Sequence, residues 1–164
     1  MAGGLLLVGF VTLQRLVELA LSRRNTRRLL ARGGREAAPG HYPFMVGFHA
    51  AWLAAMWVLA LGAALAPFWT AVFALLQGLR LWILLSLGER WTTRIVVVDE
   101  PLVRRGPYRF MRHPNYALVA AELAVVPLAL GAPLVALAFA VPHLLLLRVR
   151  ITAEERALAR PPAR

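Results

Sequence analysis

Polarity divides the chain into five apolar runs, at about 3–21, 42–66, 68–88, 116–130 and 133–147, separated by short breaks. The first three approach the roughly 20 residues that cross a bilayer's hydrocarbon core. The last two are shorter: at ~1.5 Å rise per residue each covers only ~22 Å of a ~30 Å core. Pro114 and Pro133 suit the first turn of a helix, and Pro127 and Pro142 fall inside the runs, where proline bends a helix. The pattern predicts an all-α integral membrane protein with about five transmembrane helices, the last two a short kinked hairpin. Ile95-Val96-Val97-Val98 is the one strand-like run, and it is too isolated to build a sheet.

Composition agrees with this reading. Hydrophobic residues make up 60% of the chain, charged residues 16%, and mean hydropathy is +0.63, which excludes an ordinary soluble domain. The net charge of +11 does not point to nucleic acid, because its placement follows the breaks. Arg23, Arg24, Arg27, Arg28, Arg32 and Arg35 fill one loop. Arg90, Arg94, Arg104, Arg105, Arg109 and Arg112 fill a second, and Arg148, Arg150, Arg156, Arg160 and Arg164 lie in the tail. The breaks at Ala66-Pro67 and Gly131-Ala132-Pro133 carry no charge. By the positive-inside rule the three basic segments face the cytoplasm, with the N-terminus outside and the C-terminus inside an inner or plasma membrane, where the arginines meet anionic headgroups. The N-terminal run lacks a basic leader and reads as a retained helix. Without cysteine there is no disulfide, thiolate nucleophile or thiolate metal site.

Arg15, Glu18, His49, Gln77, Arg80, Glu122 and His143 are polar residues that interrupt the apolar runs. All but Gln77 fall in the half of the membrane nearest the arginines. Ionisable groups in hydrocarbon face one another or a wet cavity, so the economical reading is one polar cavity opening to the cytoplasm. Arg15 and Glu18, at i,i+3, can also neutralise each other, and His49 and His143 can be buried structural histidines. Arg80 and Glu122 have no partner on their own helices. No His/carboxylate set has metal-ligand spacing.

The densest chemistry lies at Gly106-Pro107-Tyr108-Arg109-Phe110-Met111-Arg112-His113-Pro114-Asn115-Tyr116, where turn residues, cations and ring faces alternate just before a helix. Such a loop suits a small, charged ligand that contains a ring.

The pattern Leu102-Val103-x-x-Gly106-Pro107-Tyr108-Arg109-x-x-Arg112-His113-Pro114-x-Tyr116 resembles the isoprenylcysteine carboxyl methyltransferase family of integral membrane enzymes. Arg150-Ile151-x-x-Glu154-Glu155-x-x-Leu158 is similar to that family's C-terminal Glu-Glu motif, and Leu87-Gly88-x-x-Trp91-Thr92-Thr93-Arg94 to the lead-in to its loop. The resemblance covers roughly residues 80–160 and is closest to the compact bacterial branch. It implies S-adenosylmethionine as methyl donor, with Tyr108, Arg112, His113, Pro114, Tyr116, Glu154 and Glu155 as its contacts. Pro114 and Gly106 then shape the backbone more than they touch a ligand. Residues 1–88 form a three-helix membrane region and 89–160 the cofactor-binding part of one integrated domain.

The expected activity is transfer of a methyl group to an oxygen of a lipophilic acceptor, either a carboxylate or a phenol- or enol-like hydroxyl. The acceptor enters from the membrane lipid. Glu122 is the candidate base or acceptor-orienting group, tuned by Arg80 or His143. The rivals are an NAD(P)H-dependent membrane reductase of a lipid double bond and a non-catalytic membrane scaffold. A soluble-type methyltransferase is excluded, because no strand is followed by a glycine-rich turn and helix.

Overall fold

The computed structural model describes residues 2–159. Arg160 and Arg164 of the expected basic tail lie outside the described residues, as does the last residue of the expected 89–160 region. Five long helices follow one another: α1 (Ala2–Ala31), α2 (Tyr42–Ala60), α3 (Pro67–Leu87), α4 (Pro114–Ala129) and α5 (Pro133–Ala159). Pro67, Pro114 and Pro133 each open a helix, where a missing N–H costs nothing. Four of the helices are long and apolar enough to span a membrane, and only 17–22% of each apolar window is buried, so most of that surface faces lipid. The protein is an all-α membrane protein.

Helix α4 is the short one at 16 residues, and it lies at the centre of the bundle, packed against α3 and α5. The main core joins Val8 and Val11 of α1, Trp52 and Met56 of α2, Phe73 of α3, and Leu123 and Val126 of α4. At the uncharged end, Gly4 lies so close to Ala60 that a Cβ there would come within 2.9 Å of its carbonyl oxygen. There the Ala66 N–H also bonds the Ala129 carbonyl at 2.9 Å.

Three expectations are corrected. The first arginine-rich segment is mostly helix rather than loop, since α1 continues unbroken to Ala31 and only Arg32 and Arg35 fall past it. Ser22, Asn25, Thr26 and Leu29 form a buried stripe on that extension while Arg23, Arg24, Arg27 and Arg28 point outward, the signature of an amphipathic helix. Helix α5 is not short: it runs 27 residues through Pro142 and carries the Glu-Glu motif on the same rod as the membrane span. Nothing between Leu147 and Ala159 breaks a helix, because glycine and proline are absent there. Finally, the valine run does find a partner. Strand β1 (Arg35–Glu36) pairs antiparallel with β2 (Val96–Val97) in the register Arg35↔Val97 and Glu36↔Val96, a minimal two-stranded sheet.

The basic segments gather at one end of the bundle. Arg32 bonds Glu89 at 2.7 Å, with Arg28 on the same carboxylate, and Arg94 bonds Glu36 at 2.9 Å.

Candidate active site

At the arginine-rich end, the 89–113 loop, the start of α4 and the last turns of α5 enclose a cavity of about 1070 Å³. The floor of the loop is tied to α1. The Asn25 amide donates to the Trp91 carbonyl at 2.9 Å, and Ser22 Oγ accepts from the Thr93 N–H at 2.9 Å. Trp91 is thereby buried against Ile83 and Leu118, with Tyr108 packed on the same cluster. At the far side of the loop Arg105 Nε donates to the Ser86 carbonyl at 3.0 Å. Gly106 follows in the left-handed region at φ 58°, and a Cβ there would stand 1.9 Å from Ser86 Oγ. Only glycine permits that approach.

Six of the seven residues expected to hold the donor line this one cavity: Tyr108, Arg112, His113, Tyr116, Glu154 and Glu155. Pro114 does not line it; it is fully buried at the first turn of α4. The His113 and Tyr116 rings stack at 5.3 Å and 15°. His113 Nε2 lies 3.6 Å from Glu155 and finds no hydrogen-bond partner among the described residues. The Tyr116 hydroxyl donates to Glu154 and accepts from Arg150 Nε at 2.9 Å. Burial pushes the Tyr108 hydroxyl well above its ordinary value of 10.0, and the negative charge of Glu154 adds to the effect. Arg112 is exposed and makes no ion pair among the described residues, so its guanidinium is available for a ligand carboxylate.

Arg150, which heads the C-terminal motif but is not among the expected donor contacts, is buried. Besides Tyr116 it bonds the Thr93 carbonyl at 2.6 Å and lies 5.2 Å from the Tyr116 ring centroid. It therefore joins the loop, α4 and α5 at the cavity wall. The available signal was its place seven residues after His143, on the same helical face as Glu154.

Arg80 and Glu122 lie elsewhere. Each is almost fully buried, at 3% and 1% exposure, and they bond each other. Arg80 Nε reaches Glu122 at 3.0 Å and its Nη1 reaches Glu18 at 2.6 Å. Arg15 bonds both Glu18, at 2.8 Å, and Glu122, and Gln77 completes the Glu122 shell at 3.0 Å. Two arginines and two glutamates make a neutral cluster deep in the bundle, apart from the cavity lining. His49 and His143 form a second group between α2 and α5, with Phe48 and Phe139. The one polar cavity expected on the arginine side of the membrane is thus two separate groups: an ion-pair cluster whose charges are matched across helices, and a histidine pair set among aromatic rings.

Residues 69–160, which begin near the start of α3 and reach past the Glu-Glu motif, match the isoprenylcysteine carboxyl methyltransferase (ICMT) family. Over 159 residues the chain is 35% identical to the uncharacterized protein YpbQ of Bacillus subtilis (strain 168), covering 93% of this chain and 95% of that protein. No solved structure matches. The chain belongs to the isoprenylcysteine carboxyl methyltransferase family, and so to a class of membrane methyltransferases.

Proposed function

We propose that the protein is an S-adenosylmethionine-dependent methyltransferase that acts on an oxygen of a lipophilic acceptor. The observation that carries this reading is the convergence of the loop, α4 and α5 on one cavity whose lining sorts by chemistry. Glu154 and Glu155 offer acceptors for an ammonium or ribose hydroxyls, Arg112 a partner for a carboxylate, and the stacked His113–Tyr116 pair a ring face. His113 Nε2, which lies 3.6 Å from Glu155 without a hydrogen bond, adds a polar atom that a ligand at this wall could engage.

When bound, S-adenosylmethionine supplies an electrophilic methyl group on a sulfonium. Glu154, Glu155, Arg112 and the His113–Tyr116 pair would hold the donor, and positioning it against the acceptor in a dry site is where the rate enhancement of a displacement reaction would arise. Arg150, anchored by Thr93 and Tyr116, fixes one wall of the cavity. We assign Arg80 and Glu122 to the polar core of the bundle and not to the reaction, because every oxygen of Glu122 already accepts from Arg15, Arg80 or Gln77. The donor reaches the cavity from the cytoplasm and the acceptor from the inner leaflet.

Calorimetry on purified protein tests the reading. S-adenosylmethionine binds and NADPH does not, and Glu155→Gln weakens donor binding by the loss of a charge-assisted hydrogen bond, about 1.5–3 kcal/mol. Binding of NADPH alone would establish the reductase instead.

A further inference from the structure

Two large apolar side chains stand in the open beside the cavity. Phe110 is 72% exposed and Met111 50%, and neither lines the cavity. Backbone hydrogen bonds hold them there. The Phe110 and Met111 N–H groups both bond the Pro107 carbonyl, at 3.1 and 3.3 Å, in the turn that closes the short helix Gly106–Arg109. An exposed apolar patch with a polar rim marks a surface that meets a partner or a membrane. The rim here is cationic: between Pro101 and Arg112 there are four arginines and no acidic residue. Arg104 and Arg109 are exposed and make no ion pair among the described residues, and the Arg109 guanidinium lies 5.2 Å from the Phe110 ring centroid. Arg104 and Arg105 also line a smaller cavity of about 340 Å³ beside Leu87, room enough for one phosphate.

The height of this patch follows from the helices around it. α3 ends at Leu87 and α4 begins at Pro114, so Phe110 and Met111 lie where one apolar helix stops and the next starts. The loop rests on the last turns of α3. A Cβ on Gly106 would come within 1.9 Å of Ser86 Oγ and 3.1 Å of the Trp82 indole nitrogen. Trp82, with Leu81 and Leu85, is exposed on an apolar span and so faces lipid. The loop therefore continues a lipid-facing surface at its arginine-rich end, which is the level of the headgroups. Apolar groups beside guanidinium groups suit that boundary, because the first reach the acyl chains while the second meet phosphates.

We propose that the Arg104–Arg112 loop docks on an anionic headgroup layer, with Phe110 and Met111 in the acyl boundary and Arg104 and Arg109 on lipid phosphates, and that this docking sets the donor cavity. The coupling is built into the turn. Tyr108 and Arg112, on either side of the two apolar residues, line the cavity. A bilayer that holds Phe110 and Met111 thereby holds Tyr108 and Arg112 in place, and a ligand that binds this arrangement favours docking in return. Docking is independent of which ligand fills the cavity; its consequence for the donor rests on the methyltransferase reading. Continuity with the lipid face of α3 argues against a protein as the occupant.

The chain has no cysteine, so single spin labels are specific. Full-length Met111→Cys carries a nitroxide in nanodiscs of phosphatidylcholine, alone or mixed with phosphatidylglycerol. Asp99→Cys, at an exposed position outside the cavity lining, is the aqueous reference. In the anionic discs the label at 111 is open to oxygen and shielded from a water-soluble nickel complex, while the label at 99 stays wet. Unlabelled wild type binds S-adenosylmethionine about tenfold more tightly in anionic than in neutral discs. Phe110→Ser with Met111→Ser removes that gain without moving the unfolding midpoint, and Phe110→Leu with Met111→Leu keeps it. The serine variant also controls for enrichment of a cationic donor at a charged surface, which it leaves unchanged. Inorganic phosphate added to neutral discs does not reproduce the gain. A label at 111 as wet as that at 99 in anionic discs overturns docking, and a gain reproduced by inorganic phosphate overturns the lipid assignment. Equal donor affinity in the two discs, or a gain that survives in the serine variant, overturns the coupling. Wild type that binds no S-adenosylmethionine in either disc overturns the methyltransferase reading, while label depth still decides docking.

Discussion

At the scale of single residues, the glutamate deep in the bundle and the glycine in the loop make opposite kinds of demand. Glu122 is a buried charge whose partners are buried with it. Removing its charge leaves Arg15 and Arg80 with one compensating carboxylate, Glu18, and breaking such a cluster costs about 3–5 kcal/mol. Glu122→Gln is therefore expected to lower the unfolding midpoint in detergent sharply while turnover per folded molecule stays near wild type. A folded variant with a collapsed kcat would return Glu122 to the reaction. Gly106 demands space and a left-handed backbone, where a Cβ costs roughly 1–2 kcal/mol before any clash. Gly106→Ala should push the loop off Ser86, displace Tyr108 and weaken donor binding, and adding Ser86→Gly should restore part of it. Both residues stand out in the sequence, Glu122 as an ion in an apolar run and Gly106 as part of a turn. Sequence spacing pairs residues along one helix, and Glu122's partners come from α1 and α3, so the cluster was not legible.

At the scale of elements, the apolar runs located all five helices, but their ends were misjudged for one reason. Hydropathy reports where a helix meets lipid, not where the backbone stops being helical. α1 and α5 both continue beyond their apolar parts, and each uses the extension to build the site. Ser22 and Asn25 on the first hold the loop, and Arg150 and Glu154 on the second form the cavity wall. The buried stripe at Ser22, Asn25, Thr26 and Leu29 was readable as helical spacing, but the surrounding arginines hid it. Because α5 carries Glu154 and Glu155 rigidly from the membrane span, a break between the two parts should separate binding from folding. Val149 is exposed, so proline there removes a helical hydrogen bond, at about 3 kcal/mol, without emptying the core. Val149→Pro is expected to insert and stay folded, yet lose measurable S-adenosylmethionine affinity. Donor affinity equal to wild type would mean that the last turns of α5 contribute nothing to the site.

At the scale of the whole molecule, charge and chemistry share one end. The site residues sit among the arginines, while the opposite end closes with Gly4 against Ala60 and the Ala66–Ala129 hydrogen bond, apolar and uncharged. Motif spacing made most of the cavity lining legible, since two blocks some forty residues apart belong to one site only if the last hairpin folds back on itself, as α4 and α5 do. If the positive-inside rule sets the orientation, it also sets the side from which the donor enters. A reporter fused after Arg164 should read cytoplasmic, and one placed in the Leu61–Ala66 turn should read external. Neutralising Arg23, Arg24 and Arg27 together makes the argument sharper. These side chains are exposed and make no ion pair among the described residues, so their loss should leave the fold and the cavity intact. It should lower the fraction of correctly oriented chains, and methylation in cells should fall with that fraction. Per-molecule activity in detergent, where both faces are open, should hold. Activity lost in detergent as well would place those arginines in the site rather than in the topology signal.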